Sequence, residues 1–106
     1  MSTLWLRQEL IAKSDAKTDD GDPILTVFFR DGREERVYCP DPDEYRVTAD
    51  VVAKASGMGA TIIAFSSHWC EATVEGREYA ERRGLTVIPY AQFFAYLRRK
   101  GVTFSR

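Results

Sequence analysis

The sequence predicts one α/β domain: a small mixed sheet, built from an N-terminal β-hairpin plus parallel strands, flanked by helices. Three observations carry this expectation. Ile24 to Phe29 and Glu34 to Cys39 are strand-like runs on either side of Asp31-Gly32, a pair that tolerates positive φ and favours a two-residue reversal. Ala60 to Phe65 is a short apolar run of the kind that is buried on both faces of a sheet. A helical stretch then separates it from Leu85 to Ile88. A right-handed crossover makes those two strands parallel neighbours.

The elements follow in order. Leu4 to Ala12 has apolar residues at 4, 5, 6, 10, 11 and 12, a spacing that a short helix fits better than a strand. Ser14 to Asp22 reads as a loop. Its Asp19-Asp20-Gly21-Asp22 core invites a calcium reading. Setting Gly21 as the glycine of a calcium loop, however, puts Ala16 and Val27 where the first and last carboxylates belong, which excludes it. After the hairpin, Asp41-Pro42-Asp43-Glu44 carries helix-start chemistry: an N-cap acid, proline at the first position and a capping-box glutamate. The predicted helix buries Tyr45, Ala49, Val52 and Ala53 and stops at Gly57 or Gly59. A further helix is expected from about Glu71 to Arg83, with Ala72, Gly76, Tyr79 and Ala80 as its apolar stripe and Gly84 as its stop. Ala91 to Lys100 forms the last helix, with Phe93, Phe94 and Leu97 facing inward.

At 106 residues, with 44% hydrophobic and 29% charged side chains, the chain has the size and balance of one globular domain. No apolar run approaches the roughly 20 residues of a membrane helix. The first residues, Met1 to Arg7, lack the pattern of a secretory signal, so no membrane contact and a cytoplasmic location are the expectation. Cys39 and Cys70 stand 31 positions apart without short-range pairing, as unbridged, buried thiols do.

The net charge of -1 excludes strong nucleic-acid binding by bulk charge alone. Its distribution is uneven: residues 1–70 sum to -4 and residues 71–106 to +3. No acid follows Gly84, so Arg98, Arg99, Lys100 and Arg106 form a basic terminus. Such cations suit a helix C-terminus, and they also offer a contact to nucleic acid.

The polar end of the central strand, Ser66-Ser67-His68-Trp69-Cys70, lies where open α/β sheets place their ligands. Ser66, Ser67 and the amides at the start of the 71–83 helix could cradle an anion, or Ser67 or a neighbour could simply cap that helix. Trp69 could stack on a base or a partner side chain, or lie as a lid over the core. Cys39, His68 and Cys70 have the donor types of a zinc site. Cys70 at a helix start, with His68 nearby, has the makings of a nucleophile.

Taken together, the polar-ended strand Ile63 to Ser67, the segment Ala72 to Ile88 with its Glu78-Tyr79-Ala80-Glu81-Arg82-Arg83-Gly84-Leu85 run, and Phe93 to Leu97 resemble the Mrr-type branch of the PD-(D/E)xK restriction-endonuclease-like family. The resemblance covers about residues 24–97. It implies an acid at one hairpin strand and an E-x-K or Q-x-K triplet on the next, holding magnesium at the scissile phosphate. Asp22 or Asp31 could supply the first acid, but the triplet most nearly in register is Val37-Tyr38-Cys39, with neither carboxylate nor lysine. The expectation is therefore a catalytically inactive, restriction-endonuclease-like binding module with no cofactor and no metal. Ser66, Ser67, His68 and Trp69, with Arg98, Arg99 and Lys100, are the expected contacts to a nucleic-acid or protein partner. The alternatives are a divergent metal-dependent nuclease, a Cys70-based hydrolase, or a protein-interaction subunit presenting Trp5 and Trp69.

Overall fold

Ile62–Phe65 is buried at every position because it runs down the interior of the sheet, with a parallel strand on each side. The computed structural model of the protein describes residues 3–105. In chain order it comprises α1 (Thr3–Lys13), β1 (Lys17–Thr18), β2 (Ile24–Phe28), β3 (Glu34–Tyr38), β4 (Arg46–Val47), α2 (Ala49–Gly57), β5 (Ile62–Phe65), β6 (Glu71–Ala72), α3 (Val74–Arg83), β7 (Thr86–Pro89) and α4 (Tyr90–Arg99). The main sheet is mixed, in the order β1-β2-β3-β5-β7. β1, β2 and β3 pair antiparallel, whereas β5 lies parallel to both β3 and β7. No helix among the described residues is long and apolar enough to cross a membrane.

Alternation along the strands splits the core into two layers. Val37, Cys39, Ile62 and Ala64 face Leu6 and Leu10 of α1 and Phe93 and Leu97 of α4. Tyr38, Ile63, Phe65 and Val87 face Val52 and Ala55 of α2 and Ala80 of α3. Both faces of the sheet are thus covered, as parallel strands require.

The structure revises four local expectations. The segment 14–22 is not all loop, because Lys17 and Thr18 pair with Phe28 and Val27. The hairpin turn holds three residues rather than two: the Phe29 amide donates to the Arg33 carbonyl and the Gly32 amide to the Phe29 carbonyl, with Gly32 at φ 86°. A turn followed by a left-handed residue is the usual three-residue solution.

The helix expected at Asp41 starts instead at Ala49, capped by the Thr48 hydroxyl. Only the glutamate half of the expected capping box forms: the Asp41 amide donates to the Glu44 carboxylate, while the Glu44 amide donates to the Asp41 backbone carbonyl and closes a single turn. Beyond that turn, pairing to residues 71–73 holds the chain extended. The Glu71 amide donates to the Tyr45 carbonyl and the Thr73 amide to the Val47 carbonyl. Tyr45 and Ala53, expected inside, are exposed, and Val47 is buried in their place. For the same reason the following helix begins at Val74 rather than Glu71. Glu71 and Ala72 form β6, and Thr73 is the N-cap.

At the outer edge of the sheet, the Arg77 guanidinium of α3 donates to the Val87 carbonyl of β7 at 3.1 Å.

Candidate functional site: a cleft at the carboxyl ends of β5 and β7

Two adjacent parallel strands end beside one another, β5 at Phe65 and β7 at Pro89. The chain leaves them in different directions, into the 66–70 loop and into α4, and a cleft of about 400 Å³ opens between. Trp5, Ser66, Ser67, His68, Trp69, Tyr90 and Ala91 line it. The loop is a hydrogen-bonded turn: the Ser66 carbonyl accepts from the Trp69 and Cys70 amides at 3.4 and 2.9 Å. The Ser66 hydroxyl oxygen also accepts from the His68 amide at 3.4 Å. Ser67 and His68 are exposed, and Trp69 is half-buried against the α2–α3 layer. Trp5 packs against the opposite layer, its ring centroid 4.9 Å from that of Tyr90. The cleft therefore straddles the end of the sheet, bordered by one indole from each layer. These are the two tryptophans of the chain.

The loop expected from the sequence thus lines a cleft, but the helix start beside it belongs to a different helix. Thr73 caps α3, its hydroxyl accepting from the Gly76 amide at 2.9 Å. The residues at the cleft are Tyr90 and Ala91 of α4, whose N-cap Pro89 makes no side-chain cap bond and whose first turn carries no acid. Trp5 and Tyr90 were not expected here. Tyr90 follows directly on the carboxyl end of a parallel strand, a position the same sheet rule flags. Nothing in the sequence places Trp5 beside it.

The basic residues lie elsewhere. Arg98, Arg99 and Lys100 sit at the far end of α4, about 15 Å from Tyr90 at 1.5 Å rise per residue. The Arg98 guanidinium lies 4.6 Å from the Phe104 ring centroid and the Lys100 ammonium 5.7 Å from that of Tyr96. Arg106 is outside the described residues. Loop and basic terminus are therefore two surfaces rather than one.

Cys39, His68 and Cys70 do not converge. Cys39 belongs to the core layer under α1 and α4, and Cys70 to the layer on the opposite side of the sheet. Both are buried free thiols. Burial pushes the Cys39 thiol up to about 12, and burial with the nearby Glu44 and Glu71 carboxylates pushes Cys70 up to about 11. That is the wrong direction for a nucleophile, which needs its thiolate at neutral pH. The nuclease positions are also dispersed. Asp22 and Asp31 lie beyond opposite ends of β2, where they accept from the Thr3 hydroxyl and the Arg33 amide. Val37, Tyr38 and Cys39 are at most 3% exposed and divided between the two layers. Among the described residues, the acidic or metal-ligating side chains that do cluster are Asp41, Asp43 and Glu44.

Glu44 has a structural employment. Its carboxylate accepts from the Tyr38 hydroxyl, the Lys54 ammonium at 2.8 Å and the Asp41 amide at 2.9 Å. Burial alone would raise this carboxyl, but the bonds from Lys54, Tyr38 and Asp41 outweigh it and the group titrates below its ordinary value. A depressed carboxylate contributes stability that is present above its unfolded value of roughly 4.3 and is lost as pH falls through the lower, folded value. Glu44→Ala is accordingly expected to cost about 2 kcal/mol at pH 7, from charge-assisted bonds lost by a buried tyrosine and an exposed lysine. Urea titrations at pH 7 and pH 3 check this: the difference between variant and parent should shrink at the lower pH.

Compared with known proteins, the chain matches no family model, no curated protein and no solved structure.

Proposed function

We propose that this chain is a non-catalytic binding module on a restriction-endonuclease-like scaffold, with the 66–70 loop as its working surface and a nucleic-acid strand as its partner. The observation that carries the reading is the cleft itself. It is concave, aromatic, polar along its loop side and sited at the carboxyl ends of parallel strands. Support for the loss of catalysis comes from the identity of Val37, Tyr38 and Cys39, which hold neither carboxylate nor lysine, and from their burial, which keeps them from a phosphate.

The test is incubation of the protein with single- and double-stranded DNA and RNA in magnesium or manganese. The substrates should remain intact while single strands are retained on a filter. Metal-dependent cleavage abolished by Asp31→Ala would overturn the reading in favour of a divergent nuclease. A second reading, as a protein-interaction subunit, draws on exposed Tyr45 and Val74 beside the β4–β6 pair, at 59% and 68% exposure. Absence of retention at any ionic strength would favour it.

A further inference from the structure

Within the binding reading above, on which this inference rests, the cleft between Trp5 and Trp69 has features that select one kind of ligand group. Its walls are aromatic on both sides of the sheet end: Trp5 and Tyr90 from one helical layer, Trp69 from the other. The loop side is lined with small donors and acceptors, Ser66, Ser67 and His68. Among the described residues, no lysine, arginine, aspartate or glutamate lines it. A volume of about 400 Å³ is at the small end of ligand sites and suits one nucleotide rather than a folded segment. An aliphatic side chain would leave the polar loop side unpaired, and a bare phosphate would leave the indoles unused. A planar ring with hydrogen-bonding edges uses both.

We propose that the cleft is a pocket for one unpaired nucleobase of a single strand, stacked on the cleft's indoles and read at its edge by the 66–68 loop. The base must be unpaired, because inside a duplex both faces of a base are stacked and its Watson–Crick edge is taken. Affinity then comes from stacking rather than from phosphates, since the described residues of the lining include no Lys or Arg and Arg98, Arg99 and Lys100 are at the other end of α4. Stacking of one base on an aromatic side chain is worth about 1–3 kcal/mol, or roughly 5- to 150-fold in affinity. Salt dependence should be shallow, no more than about one phosphate's slope.

Both tryptophans of the chain line the cleft, so intrinsic fluorescence reports its occupancy directly. The titration uses an eight-nucleotide oligo(dA) strand, the same strand annealed to oligo(dT), and adenosine alone. The single strand is expected to quench emission saturably, the duplex not to, and adenosine to compete weakly. Trp69→Ala should weaken strand binding by at least fivefold, read by polarisation of a labelled strand. Trp69→Phe should restore most of that affinity, which shows that the fold is intact. Arg98→Ala, Arg99→Ala and Lys100→Ala combined should leave the quench unchanged.

No quench by strand or nucleoside up to millimolar concentration, or equal quench by the duplex, would overturn the proposal. Strand binding that survives Trp69→Ala but disappears in the triple variant would overturn the base pocket while leaving a nucleic-acid module standing. Metal-dependent cleavage would overturn the non-catalytic reading instead, whatever the quench.

Discussion

Replacing Gly76 by alanine is expected to destabilise the protein by about 3 kcal/mol, the upper end of what overpacking ordinarily costs. The Cβ it adds would stand 2.1 Å from the Val47 carbonyl oxygen and 3.0 Å from the Thr73 hydroxyl. Neither can yield freely. The Val47 carbonyl accepts from the Thr73 amide at 3.2 Å and from its hydroxyl at 3.3 Å, and that same hydroxyl caps α3 through the Gly76 amide. Relieving the clash means lifting the first turn of α3 from β4, with the cap and the β4–β6 register going together. Thermal unfolding followed by circular dichroism should show a midpoint lower by roughly 10–20 °C. Gly57→Ala is the control. It lies in α2 with open space around its position, so a helix-favouring methyl should be neutral or stabilise by up to about 1 kcal/mol. An unchanged midpoint in Gly76→Ala would mean that α3 does not sit this close to β4.

Phe93→Ala is expected to cost more, about 4 kcal/mol. Phe93 is fully buried and, with Leu97, forms the face of α4 that packs on the sheet beside α1. Its ring touches the aromatic run through Phe94, 6.0 Å away between centroids, which in turn meets Phe104 at 5.6 Å. Small side chains at the site cannot collapse into the space, because the strands beneath are held in register on both sides. Phe94→Ala should cost distinctly less, since that ring is only half-buried. Urea denaturation of the two variants measures the ordering. A Phe94 variant as unstable as the Phe93 variant would contradict the assignment of the inward face.

The parts of the fold that were legible in the sequence are those whose causes are local. Ile24–Phe28, Ile62–Phe65 and Gly84 at φ 75° follow from β-branched runs and from a glycine where a helix must stop. The inward face of α4 follows from the spacing of Phe93 and Leu97, while Phe94, expected inward with them, is only half-buried. Apart from the hairpin turn, what failed was decided at long range. The Asp41 amide donates to the Glu44 carboxylate as it does at a helix start, yet Thr48 offers a competing cap and residues 71–73 supply a strand partner from 26 positions away. No local pattern in residues 41–47 announces that pairing. The site divides along the same line. Ser66 to Trp69 were legible because they follow an obvious buried strand, whereas Trp5 arrives from α1, far off in the chain. The Tyr38–Glu44–Lys54 association was equally invisible, since it joins a core strand, a turn and a helix.

β7 is one of the two edge strands of the sheet, and in most proteins an exposed edge strand invites another chain to pair with it. Here the Val87 carbonyl is already engaged by the Arg77 side chain, and the strand ends in Pro89, which has no amide to offer. A second chain approaching this side would find one acceptor taken, one donor missing and a guanidinium in its path. The crossover helix that links β5 to β7 thus also guards the strand it delivers, so the sheet terminates on this side at β7.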